Sequence, residues 1–273
     1  MSAPATRVLH HGVWLQVDAD DAEDRTYLRD LFGDLAIAPR GGGPDPQPVH
    51  VGIRRLDVHA WSVTSPAEVL RPTTRADLGR AVLRALHHAA RDGRTSVLLH
   101  AGAVAGGRGA VLLAGRSGVG KSTLVAACLR GGALGLTDEL VAVADTGLVT
   151  GSPAPLNLKA GANAVLGHLG TDGALFREDG PLRMSAAGRT SRDPAPVAAV
   201  IGLSRAPDPL PRTISGRDAA LLLGQLVIPT GAGTDRGLGA IGALVERAST
   251  TAVMGRQDLA AATRFVLDLA GVR

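Results

Sequence analysis

The chain has 273 residues, 45% hydrophobic but only 2% aromatic, so it can bury a sizeable core and that core must be aliphatic. The 29 Lys and Arg residues against 25 Asp and Glu give a formal charge of +4. The Arg residues are scattered and not interleaved with aromatics, which argues against a nucleic-acid-binding stripe.

Residues 1–72 read as a small α+β region. Val8–Val17 and Val49–Val63 alternate in polarity as strands do, and the charged stretch Asp18–Asp34 between them suits a helix. Pro39–Pro48 is too rich in Pro and Gly to be anything but a loop. A helix is expected from the N-cap Thr74, with Asp77 three residues on and Leu78, Val82, Leu86 and Ala89 along one face. His87 and His88 near its end point about 100° apart and cannot jointly grip a metal. Val97–Leu99 and Ala110–Ala114 flank Ala105–Gly109, which predicts a hairpin or a tight return. A helix over Ser122–Arg130 closes on Gly131-Gly132 and carries Cys128, read as a small core residue. As the only cysteine, Cys128 cannot form an intrachain disulfide.

The last third predicts a strand over Val197–Leu203 and three helices. These run from the Ser215 N-cap through Leu226, from Leu238 to Arg247, and from Asp258 to Leu269. Residues 161–195, with many Gly, Asp and Arg, are expected to include a mobile loop over the active site. No stretch has the length of a bilayer span and the N-terminus lacks a signal-peptide layout, so a cytoplasmic protein without a membrane partner is expected.

The chemistry concentrates between residues 100 and 139. Gly115-Arg-Ser-Gly-Val-Gly-Lys-Ser122 has the spacing of a phosphate-binding loop, set between an apolar strand and a helix. Backbone N–H groups of such a loop turn toward an anion, and the helix N-terminus adds a favourable dipole. Gly115, Ser117, Gly118, Val119, Gly120, Lys121, Ser122 and Thr123 are therefore the expected nucleotide contacts. Lys121 would reach the β- and γ-phosphates, and the Ser122 hydroxyl would hold Mg²⁺. Asp138 and Glu139 lie between two apolar runs, where charge is seldom placed without reason. A triphosphate site needs a carboxylate for the metal and, for hydroxyl phosphorylation, one that accepts the proton. His100, Lys159 and Arg205 each stand at or beyond the end of an apolar run, as candidates for the phosphates or the acceptor.

Taken together, His100, the loop Gly115–Ser122, the turn Arg130-Gly-Gly132 and the acidic pair Asp138-Glu139 resemble the kinase domain of HPr kinase/phosphorylase. The match extends to the family's shorter relatives in bacterial biosynthetic gene clusters. The proline-containing stretch Pro153–Lys159 resembles the segment after the acidic pair in those relatives. The resemblance implies an α/β fold whose P-loop kinase core is of the HPr kinase/phosphoenolpyruvate carboxykinase-like type, over residues 73–273. It implies Asp138 as the base for the acceptor hydroxyl, Glu139 beside Ser122 and Asp138 for Mg²⁺, and His100 near the phosphates.

Two departures bear on that inference. The Glu-x-Arg-Gly signature of true HPr kinases is absent, which makes HPr an unexpected acceptor, and Glu139 stands where the family usually has Asp. The expectation is an ATP- and Mg²⁺-dependent kinase for a Ser or Thr hydroxyl of a peptide or protein, such as a ribosomally made precursor peptide. A small hydroxylated metabolite as acceptor and a non-catalytic ATP-binding scaffold are the alternatives. Relatives are often oligomeric, so a homo-oligomer is expected.

Overall fold

The computed structural model describes residues 6–35, 48–92, 97–159, 161–167, 180–206, 211–229, 234–255 and 258–272. The first unit is a five-stranded sheet in spatial order β1 (Thr6–His10), β2 (Val13–Ala19), β3 (Val49–Asp57), β4 (Ala60–Thr64) and β5 (Val69–Leu70). Its helix α1 (Ala22–Leu31) begins at the N-cap Asp21, whose carboxylate accepts from the backbone of Glu23 and Asp24. The two alternating stretches read from sequence are each a hairpin, not a single strand. His11-Gly12 takes the chain from β1 to β2, with φ of 48° and 76°, and residues 58–59 join β3 to β4. The Pro39–Pro48 loop, except Pro48, lies outside the described residues.

Helix α2 (Arg75–Asp92) starts where the capping pattern places it, with the Asp77 N–H donating to Thr74 Oγ1 at 3.1 Å. Leu78, Val82, Leu86 and Ala89 pack into one core with Leu15, Val51 and Trp61 of the first sheet and Leu28 and Phe32 of α1 and its C-cap. Within this unit Asp24 is fully buried and compensated. It accepts from Trp61 Nε1 at 2.7 Å and pairs with Arg55 and Arg75 at 3.3 and 3.6 Å.

The second sheet is built around the hairpin of β6 (Val97–Gly106) and β7 (Gly109–Ala114). Helix α3 (Lys121–Arg130) follows, then β8 (Leu134–Thr137), β9 (Leu140–Val143) and β10 (Val149–Thr150). A small ribbon of β11 (Leu156–Leu158) and β12 (Gly180–Leu182) brackets α4 (Ala162–Gly167) and precedes α5 (Met184–Ala187). The chain ends in β13 (Val197–Leu203), β14 (Arg212–Thr213), α6 (Gly216–Gly224), β15 (Val227–Ile228), α7 (Thr234–Arg247), β16 (Thr250–Met254) and α8 (Leu259–Ala270).

The strand path is β10-β9-β6-β7-β13-β16-β14, with β8 and β15 also paired to β6. β7 runs antiparallel to β6 and parallel to β13, and β13 is parallel to β16. Both faces of this sheet are covered, so its central strands are continuous apolar runs. Val111 and Leu113 face a core with Leu124 and Val125 of α3 and Val266 of α8. Ala110, Leu112 and Ala114 face the opposite core with Leu223 of α6 and Ile241 and Leu244 of α7.

Cys128 lies wholly within the first of these cores, where burial pushes its thiol up to about 12. The helix read through Leu226 stops at Gly224, because Val227 and Ile228 instead pair with β6. Of the loop expected over 161–195, residues 168–179 lie outside the described residues, and its described flanks carry α4, β12 and α5. No described helix is long and apolar enough to cross a membrane.

Candidate active site

The loop between β7 and α3 sits at the end of the parallel pair β7–β13, against Arg205, two residues beyond β13. Gly118 and Gly120 adopt φ of 81° and 105°, a region that only glycine enters without strain. Gly120 is also the N-cap of α3 and makes no side-chain cap, so the first N–H groups of the helix are left for another acceptor. Lys121, 6% exposed, folds its ammonium back toward the loop. It donates to the Gly115 carbonyl at 2.7 Å and the Arg116 carbonyl at 3.3 Å, and lies 3.2 Å from His100 Nε2.

Burial lowers the Lys121 pKa against the opposing pull of Glu139 and Asp138. Burial, then the charge of Lys121, depresses His100 to about 4, so its imidazole is neutral at physiological pH. An ammonium has no acceptor site, so His100 Nε2 must present its lone pair to Lys121.

Opposite the loop, β8 gives way to β9 through Asp138-Glu139. Thr137 Oγ1 accepts from the N–H groups of Glu139 and Leu140 at 3.3 and 3.2 Å, which holds the turn and directs both carboxylates to one side. Asp138 is only 3% exposed, so this is not a solvated turn. Its carboxylate accepts from the Ser122 hydroxyl and, at 3.1 Å, from the Asn157 N–H. Burial and then the neighbouring Glu139 push Asp138 up to about 7. Glu139 is raised by burial and lowered by Lys121 and Lys159, and its Oε1 stands 3.6 Å from His87 Nδ1.

These groups share the wall of a cavity of about 700 Å³. His100, Ser117, Gly118, Val119, Gly120, Lys121, Ser122, Thr123, Asp138 and Glu139 all line it; Gly115 does not, and serves through its carbonyl. The two weaker cation candidates are there as well. Lys159 Nζ donates to Ser117 Oγ at 3.3 Å, and Arg205 Nη2 donates to the Gly118 carbonyl at 3.3 Å. Sequence reasoning missed Asn157, which binds Asp138 through its backbone and so offered no side-chain signal. It also missed the lining residues Ser204, Met254 and Gly255, placed there by the adjacent ends of β13 and β16. His87, near the end of α2, is buried and faces Glu139.

The arrangement presents a ring of N–H groups and cations on one side and, on the other, the buried carboxylate of Asp138, the half-buried one of Glu139 and a hydroxyl. Such a site can hold a polyanion together with a hard cation and can take up a proton near neutral pH.

No known family profile matches the sequence, and none of the curated proteins matches it. Among solved structures, the Hpr(Ser) kinase/phosphatase from Coxiella burnetii aligns over 64% of this chain and 92% of its own. The identity is 12% and the TM-score 0.35, a likeness that carries no residue roles across.

Proposed function

We propose that this protein is an ATP-dependent kinase that transfers the γ-phosphoryl group to a Ser or Thr hydroxyl of a peptide or protein. Its core would be a P-loop kinase core of the HPr kinase/phosphoenolpyruvate carboxykinase-like type. One observation carries the reading. Lys121, Ser122, Asp138 and Glu139, from two separate turns of the chain, converge on one cavity with Asp138 buried and protonatable near pH 7.

The residues present fit Mg²⁺. Ser122 Oγ and the carboxylates of Asp138 and Glu139 are hard oxygen donors. Among the described residues no group of three or more His, Cys, Asp or Glu could hold a metal alone. That suits an ion which keeps waters and phosphate oxygens in its shell. When bound, Mg²⁺ supplies charge neutralisation across the β- and γ-phosphates.

The loop N–H groups and Lys121 would orient the triphosphate, with Lys159 and Arg205 adding positive charge on either side. The acceptor oxygen forms its bond to the γ-phosphorus as the bond from that phosphorus to the β-phosphate oxygen breaks. ADP leaves with that electron pair, and the hydroxyl proton passes to the Asp138 carboxylate. A carboxylate titrating near 7 is well matched to that task.

The test uses purified protein, Mg²⁺, γ-labelled ATP and Ser- or Thr-containing peptides. Label on a hydroxyl is expected, reduced about 10²–10⁴-fold by Asp138→Asn, the range for a lost general base. Lys121→Met should lower transfer by about 10²–10³-fold through lost charge stabilisation. Tight ATP binding without transfer to any peptide would sink the peptide assignment and favour a nucleotide-sensing role.

A further inference from the structure

A second cavity of about 510 Å³ adjoins the first. The two share His100, Glu139 and Asn157 as lining residues, so a group held in the second lies against Glu139 and adjoins the cavity that Asp138 lines. Its other main wall is one face of α2. Arg80, Arg84, His87, His88 and Arg91 recur at offsets of 4, 7, 8 and 11, which is helical spacing, and all of them line the cavity.

The charge of this wall is one-sided. Three guanidiniums face the space against the single carboxylate of Glu139; of the lining imidazoles, burial depresses His87 to about 4, so it adds no charge near neutral pH. Arg80 pairs with Asp77 at 2.8 Å and Arg84 with Glu68 at 2.7 Å, and Glu68 Oε1 also lies 3.8 Å from His88. Neither Asp77 nor Glu68 lines the cavity. One ion pair leaves most of the five N–H donors of a guanidinium unused. Arg91 forms no ion pair among the described residues, and it stands at the last turn of the helix, where a cation is favoured. Leu83, Leu140 and Ile228 add an apolar part to the wall. The volume falls within the roughly 300–1,000 Å³ of ordinary ligand clefts, enough for a few residues of extended peptide and not for a folded domain.

We propose that this cavity is the acceptor site, and that it selects an acidic peptide segment, with carboxylates flanking the Ser or Thr hydroxyl presented to Asp138. The assignment rests on the kinase reading above. Planar guanidiniums recognise carboxylates in two-point contacts, and the helix that carries them is anchored in the first unit's core. The N-terminal unit then acts as the specificity element, while the second sheet carries the chemistry.

Three fluorescein-labelled peptides with one central Ser, flanked by Glu, Gln or Lys, separate the outcomes. Each is titrated by anisotropy against the full chain with Mg²⁺ and a non-hydrolysable ATP analogue, and in parallel offered γ-labelled ATP. The Glu peptide should bind about tenfold more tightly than the Gln peptide, and the Lys peptide least. Arg91→Gln should erase most of that preference, and Arg84→Gln combined with it the rest, with binding of a fluorescent ATP analogue unchanged to report an intact fold. Equal binding of all three peptides, a preference for Lys, no peptide binding, or a preference that survives both substitutions would overturn the acceptor site. Charge-selective binding without label transfer would support the site and sink the kinase reading. Transfer without charge selection would do the reverse.

Discussion

At the residue scale the two carboxylates of the site are held against their own stability. Asp138 is buried beside Glu139, with the Ser122 hydroxyl and the Asn157 N–H in partial compensation. Its pKa is raised from 3.8 to about 7, so the folded protein binds that proton more tightly than the unfolded chain. The contribution to stability is fully present below about pH 3.8 and is lost as pH rises through about 7. Asp138→Asn keeps an acceptor for Asn157 and removes the charge. In metal-free, nucleotide-free protein at pH 8 it should stabilise the fold by roughly 1–3 kcal/mol, the scale of a poorly compensated buried polar group. The gain should shrink toward pH 4. Denaturant unfolding of both proteins at the two pH values measures it, and a gain independent of pH would contradict the assignment. The same substitution is expected to cripple transfer, so activity and stability move in opposite directions, as expected where a site stores unfavourable charge.

Among the elements, α2 and the β6–β7 hairpin divide the labour. The hairpin delivers His100 on one strand and the glycine loop at the end of the other. Helix α2 buries one face in the first core and turns a cationic face to the second cavity. Its start is legible in the sequence because a capping box is a local pattern. Thr74 Oγ1 accepts from the Asp77 N–H and donates to the Asp77 carboxylate at 2.7 Å. Thr74→Ala should cost about 1 kcal/mol of global stability, read as a lower denaturant midpoint with an unchanged slope. Strand β16 illustrates the opposite case. Thr250–Met254 is five residues long and mixed in polarity, and pairing with β13 and β14 makes it a strand. Helix α6 ends two residues short of its sequence expectation for a related reason, since Val227 and Ile228 continue its apolar pattern but find partners on β6.

For the whole molecule, the two units meet at a polar joint as well as through α2. Asp34, whose side chain is 5% exposed, accepts from Arg183 Nε at 2.8 Å and from the Ser185 N–H at 2.6 Å, and its carbonyl accepts from Arg192. Asp34→Ala strips the carboxylate from a half-exposed guanidinium and a backbone N–H. A loss of roughly 1–3 kcal/mol is expected, discounted for the exposure of Arg183. If the joint couples the units, the variant should also become more sensitive to proteolysis between β12 and α5 at low denaturant. Unchanged cleavage there would mean that α2 alone holds them together.

The sequence by itself determined whatever is written in consecutive residues. The loop from Gly115 to Ser122, the acidic pair after β8, the helix caps and the apolar strands β7 and β13 depend on short-range sterics and periodicity, and these are local properties. Only the tertiary structure decided which of those pieces share a space. It set Lys121 beside His100 and Asp138 against Ser122, and it brought Lys159 and Arg205 to the loop from 42 and 87 residues away. It also made His87 a neighbour of Glu139 and turned the Arg80–Arg91 face toward the same carboxylate. Such contacts arise from how sheets and helices pack, and packing depends on complementary surfaces that no single stretch of chain records.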